Sequence, residues 1–207
     1  AYFVAAHVAL GLALAAVAAE PTLPWAVDAR PRLTGLLHLV TLGWISGSIL
    51  GALYLVMPLA FATPLRATRA DRAAFAAFWS GTAGIVGAFW THRFSDVALA
   101  SVPVLAAVAF IGARTIRALM RAPLPRAIRV HVGLAFGNVL VAGVGGLLMA
   151  LSLARGGLPW SSLPLAEAHA HLAVLGWAVR MIFGVGDRLL PMVLPAAMPR
   201  TWTLGLS

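Results

Sequence analysis

Apolar residues fill this chain in six long runs, and its polar residues gather in the joints between them. The runs cover residues 1–19, 33–62, 73–90, 97–120, 127–153 and 163–194. A hydrocarbon core about 30 Å thick takes about 20 helical residues, so each run is predicted to cross a bilayer once. Helix breakers fall between the runs. Pro21, Pro24 and Pro31 separate the first two, Pro64 stops the second, Pro123 and Pro125 part the fourth from the fifth, and Gly156, Gly157 and Pro159 part the last two. Pro103 lies inside the fourth run, which membrane helices tolerate. The first run has no basic flank before it, and Glu20-Pro21 does not look like a signal-peptide cleavage site, so it reads as a span. The expected fold is all-α and integral to the membrane: one domain, residues 1–207, of six transmembrane helices.

Composition agrees with the pattern. Charged residues make up 10% of the 207 and hydrophobic residues 61%, against about 25% charged in soluble domains, which excludes a soluble globule. The absence of cysteine excludes a disulfide scaffold, thiolate-held metals and covalently attached haem. All fifteen basic residues are arginine, giving a net charge of +9. They sit at the ends of the apolar runs, so they report topology rather than nucleic-acid binding. Arg66, Arg69, Arg72, Arg114, Arg117, Arg121, Arg126, Arg129 and Arg200 fall on one side, and Arg30, Arg32, Arg93 and Arg155 on the other. The positive-inside rule then makes the first side cytoplasmic, with both termini inside, in a multi-pass protein of the cell inner membrane.

A repeat changes the picture. Leu37-His38-Leu39-Val40-Thr41-Leu42-Gly43-Trp44 in the second run matches Ala170-His171-Leu172-Ala173-Val174-Leu175-Gly176-Trp177 in the sixth, and the same register pairs Gly51 with Gly184 and Pro58 with Pro191. Leu23-Pro24-Trp25 matches Leu158-Pro159-Trp160, and His7-Val8-Ala9-Leu10 matches His131-Val132-Gly133-Leu134 less well. Helices one and two are thus expected to form an early copy of the hairpin made by helices five and six. A lone histidine in a membrane helix is ordinarily a packing or interfacial residue, but repeat-equivalent positions single out His38 and His171. Packed pseudo-symmetrically, the hairpins would set these two imidazoles facing each other near the outer side, as axial ligands of a b-type haem. His7 and His131 form a second such pair nearer the cytoplasm. Gly43, Gly47, Gly51, Gly176, Gly184 and Gly186 would let the helices close up. Trp44 and Trp177 join the histidines as candidate cofactor contacts, and the tryptophans as a group are expected near the membrane interfaces. Arg180, nine residues or about 13 Å beyond His171, needs a partner inside the bilayer. A haem propionate or Asp187 would serve, and Asp187-Arg188 reads as an ion pair at the inner end.

The stretch Glu167-Ala168-His169-Ala170-His171-Leu172-Ala173-Val174-Leu175-Gly176-Trp177 resembles a haem-binding segment of the haem–copper oxidase superfamily, its catalytic subunit I and small relatives. The match is strong over residues 163–195 and weaker over 34–61. The resemblance implies that His171 ligates a low-spin haem, His169 a high-spin haem, and that His38 is the second low-spin ligand. Residues two apart on a helix point about 200° apart, so one helix can serve two sites. The chain departs from the family in having roughly half its length and no His-His pair for copper. Glu167 is the one candidate for the carboxylate that a nitric-oxide-reducing relative would need.

The expectation is therefore a membrane b-type cytochrome holding one haem b, with a second in the inner pair, and His38, His171, His169, His7 and His131 as metal ligands. Arg180, Trp44 and Trp177 would be cofactor contacts, and no residue is assigned a catalytic role. Quinol, a periplasmic redox protein and the lipid bilayer are the expected partners, and a homodimer or larger complex is compatible with the apolar faces. Two alternatives stand beside it: a gas-reactive subunit of haem–copper type, and a haem-free transporter or assembly subunit whose repeat reflects fold duplication.

Overall fold

In the computed structural model, residues 1–25, 30–63, 65, 67–156, 162–195 and 197 are described. Among them every regular element is helical. Six helical stretches are long and apolar enough to cross a membrane: Tyr2–Ala19, Arg30–Leu59, Arg69–Trp90, Phe94–Arg121, Arg126–Ala154 and Pro164–Val193. They coincide with the six apolar runs. The Leu158-Pro159-Trp160 part of the repeat, Pro64, Arg66 and Arg200 lie outside the described residues.

The four uninterrupted spans are α1 (Tyr2–Ala19), α4 (Arg69–Trp90), α5 (Phe94–Arg121) and α6 (Arg126–Ala154). Span two runs as α2 (Arg30–His38), a π-helical segment π1 (Leu39–Ser46) and α3 (Gly47–Leu59). Span six does the same, as α7 (Ser162–His171), π2 (Leu172–Val179) and α8 (Arg180–Val193). Each π segment has eight residues and begins directly after the histidine of the repeated motif. A π turn bonds i to i+5 and carries one residue more than an α turn. Side chains also bond carbonyls of both segments. Ser46 Oγ donates to the Thr41 carbonyl at 2.8 Å, and Asn138 Nδ2 of α6 donates to the Gly176 carbonyl at 3.0 Å.

Each span packs on the next in sequence, and span six returns to span two through π1 against π2 and α3 against α8. Spans two to six thus close a ring, with α1 laid against span two. The glycines set the close approaches. A Cβ on Gly43 would come within 2.8 Å of Ala9, one on Gly47 within 2.9 Å of Trp79, and one on Gly51 within 2.9 Å of Tyr2. Gly176 abuts Asn138 at 2.8 Å in the same sense, whereas Gly186 meets only Leu190 of its own helix. These contacts are ordinary helix packing by small residues.

One end of the ring is rich in arginine and tied by polar bonds. Thr68 caps α4, with Asp71 completing a capping box. The buried Asp71 carboxylate also accepts from Tyr54 at 2.8 Å and pairs with Arg114, joining α3, α4 and α5. Arg188 Nε donates to the Ala60 carbonyl at 2.6 Å, joining the ends of spans six and two. Asp187 does not pair with its neighbour: its Oδ2 is buried without a hydrogen-bond partner. At the opposite end Glu20 pairs with Arg32, and Arg93 with Asp96.

Candidate functional site

Away from the arginine-rich end, spans two and six bring two histidines together. The ring centres of His38 and His169 lie 6.1 Å apart, with their planes inclined by 31°. His38 ends α2 just before π1, and its Nδ1 donates to the Thr34 carbonyl at 2.8 Å. Phe89, one residue before the end of α4, stacks on the His38 ring at 5.3 Å. His169 Nδ1 bonds the Ala142 carbonyl of α6 at 2.8 Å. A carbonyl can only accept, so each Nδ1 carries a hydrogen, and in the neutral form of each ring the lone pair is on Nε2. Both rings are thus oriented from behind by a backbone carbonyl.

His171 stands elsewhere. It is exposed, and its Nδ1 bonds the Glu167 carbonyl one turn back on its own helix, at 2.8 Å. The facing pair is therefore His38 with His169, not the repeat-equivalent His38 with His171. The reason lies in the helix. His171 is two residues, about 200°, around α7 from His169, so the face that turns to span two excludes it.

His7 and His131 are not brought together. His7 is exposed on α1, its Nδ1 bonded to the Phe3 carbonyl at 2.7 Å in a shallow groove with Val4 and Val8. His131 is buried in α6 against α8, where a Cβ on Gly184 would come within 3.0 Å of it. Arg180 NH1 donates to His131 Nδ1 at 3.3 Å. A neutral imidazole has one lone pair, and the guanidinium takes it, so His131 in this arrangement is Arg180's partner. This answers what holds Arg180 inside the bilayer, a question to which the sequence offered Asp187 or a propionate.

The two repeated tryptophans also differ. Trp177 is buried to 2% exposure, packs on Phe136 at 5.1 Å and donates from Nε1 to Ser46 Oγ at 3.1 Å. It is a core residue linking the two π segments rather than an interfacial one. Trp44 is half-buried.

Among the described residues no group of three or more His, Asp or Glu side chains is placed to hold a metal ion. Sequence reasoning missed Phe89, Ala142 and Gly146 as the surroundings of this pair, and no motif marks them. It also missed both π segments. No family model, no curated protein and no solved structure matches the chain.

Proposed function

We propose that the chain is a membrane b-type cytochrome whose haem iron is held between His38 and His169. The observation that carries this reading is the spacing of their rings. Two imidazoles on opposite sides of one transition-metal ion, each bonded at about 2 Å, have ring centres roughly 6 Å apart, and these stand at 6.1 Å. Ring planes may differ freely about such an axis, so the 31° inclination is compatible with it. Metal-bound histidines ordinarily donate their second nitrogen to a carbonyl or carboxylate, as both do here. Two neutral nitrogen donors without a thiolate or carboxylate suit haem iron.

A haem held by His38 and His169 would supply reversible one-electron chemistry. The chain's own residues do the rest. The Thr34 and Ala142 carbonyls orient the two rings through Nδ1 and would raise the basicity of Nε2 toward a bound metal. Phe89 covers one face of His38 and keeps water from it. With both histidines engaged, such a group would carry electrons between a donor such as quinol in the bilayer and a redox protein at the outer surface. The arginine distribution puts both termini on the cytoplasmic side of the inner membrane, and hence this site near the outer face. The coincident π segments support descent of the two hairpins from one duplicated unit.

The test is optical. Purified protein should show a reduced low-spin b-type spectrum, unmoved by carbon monoxide, with one haem per chain by pyridine haemochrome. His38→Ala and His169→Ala should each abolish the signal and His171→Ala should keep it. A colourless, folded parent protein overturns the haem. Loss in His171→Ala with retention in His169→Ala overturns the ligand pair and restores the repeat-symmetric one.

A further inference from the structure

We infer that α6 selects His169 over His171 as the metal-facing histidine, through the Ala142 carbonyl and the bare Cα of Gly146. This positioning role rests on the haem reading for its consequence, but not for its geometry.

Four histidines in the spans have a hydrogen bond from Nδ1 to a backbone carbonyl. His7, His38 and His171 use the carbonyl four residues back on their own helix: Phe3, Thr34 and Glu167. That bond is available to any helical histidine with the right rotamer. His169 alone among the four forgoes it and reaches across to another helix, to Ala142. The ring is thus tethered to α6 rather than to its own turn.

The tether needs room. Ala142 and Gly146 are one turn apart, and the Ala142 carbonyl points along the axis toward residue 146. The space beside it is where a side chain at 146 would begin. A Cβ built on Gly146 would lie 3.0 Å from His169 Cε1 and 3.4 Å from Nδ1. One methyl group would therefore press on the imidazole, which must give by a few tenths of an ångström beside its acceptor. His171 is not touched by this clearance, because it leaves α7 on the opposite side. A carbonyl with a second lone pair free, beside a missing side chain, is thus a socket for one of two otherwise similar histidines. The repeat offers no such choice in span two, where His38 has no histidine two residues before it.

Gly145 gives a matched control. It is the adjacent residue on the same helix, and a Cβ there would meet nothing within 4 Å. Gly145→Ala and Gly146→Ala change helix propensity alike, so a difference between them reports the socket. Two readouts apply. In ¹⁵N-histidine-labelled protein without haem, His169 should be the Nδ1–H tautomer in the parent and in Gly145→Ala, and should lose it in Gly146→Ala. In the haem-loaded protein, Gly146→Ala should shift the low-spin electron paramagnetic resonance signal or convert a third or more of it to high spin, with Gly145→Ala matching the parent. Gly146→Ser is a second small variant and should behave as Gly146→Ala. An unchanged His169 tautomer in both Gly146 variants overturns the inference whether or not haem binds. A colourless parent with the tautomer change overturns the haem reading and leaves the socket standing.

Discussion

Spans two and six share a sequence motif and share a backbone device, yet they treat their histidines differently. In both, an α-helix ends at a histidine, eight π-helical residues follow, and an α-helix with an internal proline completes the crossing. In both, the preceding span lies along the π segment: α1 on π1 and α6 on π2. The glycines at the matched positions Gly51 and Gly184 take up Tyr2 and His131 of those preceding helices. Local sequence thus reproduces local packing. But span two lies between spans one, three and six, while much of span six faces outward, with Leu175, Ile182 and Leu190 exposed. The second histidine motif therefore sits at a different angle to the ring, and His169, not His171, comes to His38. A repeat fixes what each copy does to its own neighbours. It does not fix which residues of the two copies meet.

The largest test of this difference is the exchange of ligands: complete haem loss in His169→Ala with full retention in His171→Ala. Next come the arginine-rich ends of the two spans. Span two is tied there through Tyr54 to the buried Asp71–Arg114 pair. Span six is tied by one charged hydrogen bond, Arg188 to the Ala60 carbonyl. Asp71→Ala should cost about 3–5 kcal/mol, because it removes a buried carboxylate that holds both Arg114 and Tyr54. Arg188→Ala should cost about 1.5–3 kcal/mol. Unfolding in mixed micelles or by steric trapping measures both, and equal costs would deny the asymmetry.

Smaller again are the packing glycines. Gly184→Ala would set a methyl 3.2 Å from the Val132 backbone nitrogen and 3.0 Å from His131, for an expected loss of about 1–3 kcal/mol. Gly11→Ala in α1 meets nothing within 4 Å and should be neutral or slightly stabilising. The same unfolding assay ranks the pair. The smallest effect separates the tryptophans. Trp177→Phe loses the bond to Ser46, worth about 1 kcal/mol, while Trp44→Phe should fall below about 0.5 kcal/mol. A reversed order would mean that Trp177 does not link the π segments.

Much of the architecture was legible from residue pattern. Twenty-odd apolar residues between prolines have one stable solution in a bilayer, since backbone groups there must bond within their own segment. The spans follow from that argument, and the ends of α4 and α5 shift by only a few residues because Thr68 and Asp71 extend α4 backward. The candidate site was legible in part. His38 and His169 were among the residues singled out, but their pairing was not. Hydrophobic periodicity does not reveal a change from i+4 to i+5 bonding, so the π segments had no signal. Arg180's partner was missed because His131 is 49 residues away in sequence and was assigned elsewhere. Asp187, seven residues along the same helix, was the local guess, and it remains apart.

By itself the sequence determined six helices long and apolar enough to cross a membrane, because apolar runs of this length satisfy their own backbone groups as helices. It also determined where histidines enter the interior. Only the tertiary structure decided which imidazole meets which, because that depends on how far span six is turned about its axis. The turn is set by contacts with Gly146, Ala142 and Asn138 of α6, and span six by itself does not contain that information.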